Sequence, residues 1–212
     1  MERNDHDMDN LAIFCADVGS IKAGKFGWAA SLPGESSLLK GRCIEEFSSS
    51  ITSSISENHK VALGFECPLF VPMRNSAELV NSARKGEGNR SWSAGAGTGA
   101  LATGLVEALW VFNRVTELLG RPQRAEVSWE AFRSSDSLFL WEAFVSSSAK
   151  GISHEDDAVI AIEHFKASLP NIETASAIDE TNVLSLIGAA ALRAGWSDDI
   201  GLLSEPCVVI KA

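Results

Sequence analysis

Residues 11–19 read LAIFCADVG, an apolar run that ends in an aspartate, a valine and a glycine. A short, continuous apolar stretch closed by turn residues predicts a buried first strand with its turn. Asp17 then falls where that strand emerges. A carboxylate next to so apolar a run is costly unless it is paired or meets a cation. A turn aspartate bonded to its own loop would satisfy the same position.

Reading outward, GKFGWAASL (24–32) is the expected hairpin partner, and Pro33-Gly34 marks the next turn. A third strand is expected around Leu39 to Phe47, and the serine-rich stretch 48–56 reads as a polar surface segment with room for a short helix. VALGFECPLF (61–70) is the second strong buried strand, and Pro68 and Pro72 keep it from continuing. Residues 73–99, rich in Gly, Ser, Asn and Arg, read as a long loop, and loops of that length in compact domains are often functional. ALATGLVEALWVFNRVTELL (100–119) has helical spacing and is stopped by Gly120 and Pro122. Residues 125–145 read as strands, or as one strand after an irregular piece.

Ser153 is placed to cap a helix running to about Leu169, with Asp156 at the matching third position. A last helix is expected over Asn182 to Ala194, followed by a short strand in CVVIK. The pattern predicts an α/β fold: a mixed five-stranded sheet, three antiparallel strands followed by parallel ones, flanked by helices. Residues 1–10 are expected to be a disordered lead-in and 11–212 one domain.

The bulk properties narrow the classes. A chain of 212 residues can bury a substantial core. No segment reaches the ~18 apolar residues of a membrane helix. MERNDHDMDN lacks the basic head and apolar stretch of a secretory signal. Cys15, Cys43, Cys67 and Cys207 form no CxxC pair, which argues against a thiolate zinc site and for reduced, core-filling thiols in a cytoplasmic protein. A net charge of −10 weighs against binding long nucleic acid non-specifically, because phosphate contacts need Lys and Arg.

Two more acids stand out. Glu66 lies inside LGFECPLF, where a charge needs a partner; if its strand lies beside the first, Asp17 and Glu66 converge at one sheet edge. Pairing with an arginine such as Arg74 is the plainer alternative. In SHEDDAVIAIEHF (153–165), His154 and Asp157 share a face at the start of an apolar helix, holding Asp157 at the rim of the core. Glu155 and Asp156 suit the helix dipole. Arg74, Arg84, Lys85 and Arg90 are candidates for holding phosphate oxygens, or simply a solvated basic loop. Trp92, in the same polar loop, could stack on a base. SAGAGTGA (93–100) lacks the Lys-Ser/Thr of a P-loop.

ADVGS with GWA close by, FECPLF, LWEAF and HEDDAVIAI together resemble the ribonuclease-H-like superfamily, in particular its RuvC-type resolvases. They most resemble a family of predicted RNase H-like nucleases classed as a domain of unknown function. The resemblance implies that Asp17, Glu66 and Asp157 are metal-binding catalytic acids, that His154 serves the same site, and that Glu142 is a supporting carboxylate. It departs from the resolvases in having no obvious DNA-junction loops. Clustered carboxylates suit Mg²⁺ or Mn²⁺, and two such ions ~3.5–4 Å apart promote phosphodiester hydrolysis. The expectation is a Mg²⁺- or Mn²⁺-dependent nuclease acting on DNA or RNA, with no membrane partner. A non-catalytic interaction module of the same fold is the alternative. An actin-like or sugar-kinase-type ATP-binding protein fits less well, since that class needs two such domains.

Overall fold

A computed structural model of the chain describes residues 9–88, 91–146 and 149–212. Every residue of β1 (Leu11–Asp17) is buried, as the unbroken apolar run requires. It is an interior strand. On one side it pairs antiparallel with β2 (Gly27–Ser31), which pairs antiparallel with β3 (Leu39–Gly41). On the other side it pairs parallel with β4 (Lys60–Glu66), and β4 pairs parallel with β7 (Leu138–Phe144). The far edge of β7 is shared: β6 (Ala125–Glu126) pairs with its first residues and β9 (Val208–Lys211) with its last. The strand order is β3-β2-β1-β4-β7-β6, with β9 also on β7. A separate two-stranded antiparallel sheet joins β5 (Phe70–Pro72) to β8 (Val183–Ser185).

Alternation along the strands divides the core in two. Ala12, Phe14 and Ala16 of β1 pack with Val61, Leu63 and Phe65 of β4 beneath α1 (Ile44–Ser56), α2 (Ala96–Leu119) and α5 (Leu186–Ala194). Leu11, Ile13 and Cys15 face the other way, onto α3 (Trp129–Ser134) and α4 (His154–Ser168). Helices on both faces are why β1 and β4 read as continuous apolar runs.

Two glycines set close approaches. A Cβ on Gly64 would lie 2.3 Å from the Trp141 ring, so its absence lets that indole lie flat on β4. A Cβ on Gly27 would lie 2.4 Å from the carbonyl carbon of His154, so the start of α4 rests directly on β2.

The mixed α/β sheet with antiparallel strands first and parallel strands after is as expected, but several boundaries differ. The third strand ends at Gly41, and Ile44 to Ser56 form α1, whose buried Ile44, Phe47 and Ile51 repeat at helical spacing. The sheet has seven strands rather than five. Between β6 and β7, residues 129–134 are helical, capped by Ser128, whose side chain accepts from Ala131 N. The final helix starts at Leu186, because residues 183–185 are held as β8 by β5. Helix α4 has the expected cap, with Asp156 N donating to Ser153 Oγ at 3.2 Å. Cys15, Cys67 and Cys207 are buried as expected, but Cys43 is exposed at the start of α1. Of the expected lead-in, residues 1–8 lie outside the described residues. Among those described, no helix is long and apolar enough to cross a membrane.

Candidate metal centre

The parallel register of β1 and β4 sets Asp17 opposite Glu66, each the last residue of its strand. On the other side of β1, Asp17 is paired with Gly27, the glycine on which α4 rests. That contact delivers the first turn of α4 to the same sheet edge. His154 Nδ1 and Asp17 Oδ2 share a hydrogen bond at 2.5 Å. One carboxylate oxygen from each of Asp17, Glu66 and Asp157 lies within 4.8 Å of the others. Three acids separated widely in sequence therefore share one point.

Two groups from the segment before α4 hold the third acid. Gly151 N donates to Asp157 Oδ1 at 2.6 Å, and Lys150 Nζ donates to Asp157 Oδ2 at 2.8 Å. Lys150 also reaches Glu66 Oε1 at 3.2 Å. Glu66 Oε2 is buried and has no hydrogen-bond partner among the described residues. A fourth carboxylate, Glu107 of α2, is buried nearby and accepts from Gly19 N at 3.3 Å.

The electrostatics follow from burial. The Glu66 carboxyl is pushed up to about 9, first by burial and then by the charge of Asp17. Asp17 is raised to about 6, chiefly by burial. Burial also lifts Glu107 to about 7. Without a further cation, the centre keeps protons on carboxyls that would ordinarily be ionised at neutral pH. One ammonium and one imidazole face four carboxyl groups, so the acids are not individually neutralised. The donor set is all carboxylate oxygen, which suits a hard divalent cation. In the metal-free site Glu66 shares its proton with Asp17, and a cation between the two would take that proton's place. The residues fit Mg²⁺ or Mn²⁺.

The remaining candidates fall elsewhere. Glu142, in β7 beside β4, is 1% exposed and fully engaged. Arg84 clasps it in two-pronged fashion at 2.6 and 2.8 Å, and Leu69 N donates to it at 2.9 Å. Arg84 also donates to Glu87 at 3.1 Å and its guanidinium lies over the Phe70 ring. It is a buried brace between β7 and the 73–99 loop, with its donors turned to carboxylates rather than to a phosphate. Arg74 is clasped by Glu180 at 2.6 and 2.9 Å, so it does not partner Glu66. Lys85 bonds Asp179. Arg90 lies outside the described residues. Trp92 is tied into its loop, its indole donating to Ser82 O at 3.0 Å. Glu155 and Asp156 pair with Arg42 and Lys40 across the α4 entry.

Two participants escaped the sequence reading. Glu107 sits in the buried stripe of α2 with Gly104, Ala108 and Val111, and a charge on that stripe was a readable signal. Lys150 carries no such signal, because its role depends on where the chain before α4 folds back.

The acids open onto a cleft of about 490 Å³, bounded by Asp17, Glu66 and Lys150, by the Arg84–Glu142 brace, and by the loop and first turn leading into α2. No family model, curated protein or solved structure matches the chain.

Proposed function

We propose that this protein is a Mg²⁺- or Mn²⁺-dependent phosphodiester hydrolase, a nuclease of the RNase H-like kind. The observation that carries the reading is the convergence of Asp17, Glu66 and Asp157 on one point. The strand order, with the first acid on the central strand and the second on its parallel neighbour, supports the RNase H-like assignment.

Bound divalent metal would supply charge neutralisation at the phosphate and lower the pKa of water at the site. The chain's own groups do the rest. Asp17, Glu66 and Asp157 would hold the cation. His154 orients Asp17, and Gly151 N orients Asp157. In the reaction, a water oxygen forms a bond to phosphorus and the ester P–O bond breaks. The water proton passes to a carboxylate or to His154, and the departing oxygen takes up a proton. Lys150 bridges Glu66 and Asp157 and offsets part of their charge in the metal-free site.

Lys150 also favours one competing reading, a metal-free salt-bridged site in a non-catalytic interaction module. Calorimetric titration with Mn²⁺ separates the two. The metal-dependent reading expects binding by the wild type, loss of binding in Asp17→Asn, and hydrolysis in Mn²⁺ of a phosphodiester, whether in DNA, in RNA or in a nucleotide-sized ester. Absence of both binding and hydrolysis in the folded wild-type protein would overturn it.

A further inference from the structure

We infer that the substrate of this centre is a single nucleotide-sized phosphoester, one phosphate with one flat apolar body, rather than an internal stretch of duplex. The inference rests on the metal-dependent reading above and adds the substrate's size and shape.

The volume comes first. The cleft beside the acids measures about 490 Å³. That is within the ~300–1,000 Å³ of sites that enclose a small molecule.

Charge points the same way. Duplex binding requires lysines and arginines free to meet phosphates. Four of the described cations around this centre are already on carboxylates, Lys150 on Glu66 and Asp157, Arg84 on Glu142 and Glu87, Arg42 on Glu155 and Lys40 on Asp156, which leaves the exposed Lys22 and Lys25 of the loop after Asp17. The chain as a whole carries −10. A polyanion laid across this face would meet uncompensated negative charge, whereas one phosphate needs only the cation held by the acids.

The walls supply the other half of the specificity. Away from the carboxylates the cleft is lined by Val18, Pro68, Ala96, Ala100, Phe144 and Val145. These are apolar and mostly small, and they present a surface for a ring to lie on beside Ser91 and the Arg84–Glu142 brace. A phosphate at the acidic end therefore leaves the attached base against the apolar wall.

The full-length protein tests this. Calorimetry would measure Mn²⁺ binding first and adenosine 5′-monophosphate binding in the presence of Ca²⁺ second. Hydrolysis of the p-nitrophenyl ester of thymidine 5′-monophosphate would be followed in Mn²⁺. Ala100→Phe, which fills the cleft from α2, should leave Mn²⁺ binding intact. It should weaken the nucleotide by about tenfold or more, a change of ~1.4 kcal/mol. Ala96→Phe, at the first residue of α2, should do the same and guards against a folding defect at Ala100. Mn²⁺ binding with no nucleotide binding, nucleotide affinity unchanged in both variants, or displacement of the nucleotide by equimolar duplex DNA would each overturn the inference alone. Failure of the wild type to bind Mn²⁺ would overturn the metal-dependent reading and this inference together.

Discussion

Asp17 and Glu66 are register partners at the ends of two parallel strands, so their carboxyls leave the sheet side by side. Neighbouring strands run ~4.8 Å apart, and residues in register point to the same face. Two ionised carboxylates at that spacing repel strongly where water is excluded, and a proton or a cation must come between them.

The pH dependence of stability follows. Glu66 is raised from 4.5 to about 9, Asp17 from 3.8 to about 6, and Glu107 from 4.5 to about 7. A raised carboxyl binds its proton more tightly in the folded state. Its contribution is complete below the unfolded value and is lost as pH climbs through the folded one. The metal-free protein should therefore lose thermal stability steadily from mildly acidic to mildly alkaline pH. Glu66→Gln should flatten that slope and raise stability at neutral pH by on the order of 1 kcal/mol. Saturating Mg²⁺ should flatten the wild-type slope as well, since a cation stabilises the ionised form. Thermal unfolding across pH, with and without Mg²⁺, checks all three. A wild-type transition that rises with pH would contradict the burial of these acids.

Lys150 occupies two of the acids that metal would need. Lys150→Met should lower the stability of the metal-free protein and tighten Mn²⁺ binding by roughly tenfold, equivalent to ~1.4 kcal/mol. Calorimetric titration of wild type and variant gives the comparison. Weaker Mn²⁺ binding in the variant would mean that Lys150 arranges the acids instead of competing for them.

Arg84 is the most committed cation described, 3% exposed and bonded to both Glu142 and Glu87. Removing one partner of a buried ion pair strands the other, at a cost of about 3–5 kcal/mol. Arg84→Met should show a loss of that size in urea unfolding, while Arg84→Met combined with Glu142→Met should recover only part of it, because buried Glu87 still loses its guanidinium. If Arg84 were instead a phosphate-holding residue, Arg84→Met would leave stability nearly unchanged.

Gly27 lets α4 touch the sheet, and its missing Cβ would sit 2.4 Å from His154 backbone. Gly27→Ala should push the start of α4 outward, destabilise the fold by about 1–3 kcal/mol as overpacking does, and weaken Mn²⁺ binding by moving Asp157. Urea unfolding and calorimetry on the same preparation measure both effects. Unchanged metal affinity would separate the seating of α4 from the geometry of the acids.

The legible parts of the site were those with a local signature. Asp17 and Glu66 stood out as charges at the ends of apolar runs, and Asp157 as the acid adjoining the buried stretch of a capped helix. Glu142 was also visible, but its role was not. LWEAF reads the same whether the glutamate faces a metal or an arginine 58 residues away. The same limit applied to the basic loop, where Arg74, Arg84 and Lys85 looked like free cations until Glu180, Glu142 and Asp179 were found against them.

Local chemistry was enough to identify the buried strands, the capped helix and the acids that needed a partner, because apolar periodicity, turn residues and the cost of a buried charge are properties of neighbouring residues. Which acids meet, which cation each basic residue serves, and how large a space lies beside them depended on strand register, on one glycine-sized gap beneath α4, and on where the chain before that helix folds back. Those are long-range facts. Electrostatic pairing acts over a few ångströms in space regardless of separation along the chain, so no window of sequence contains it.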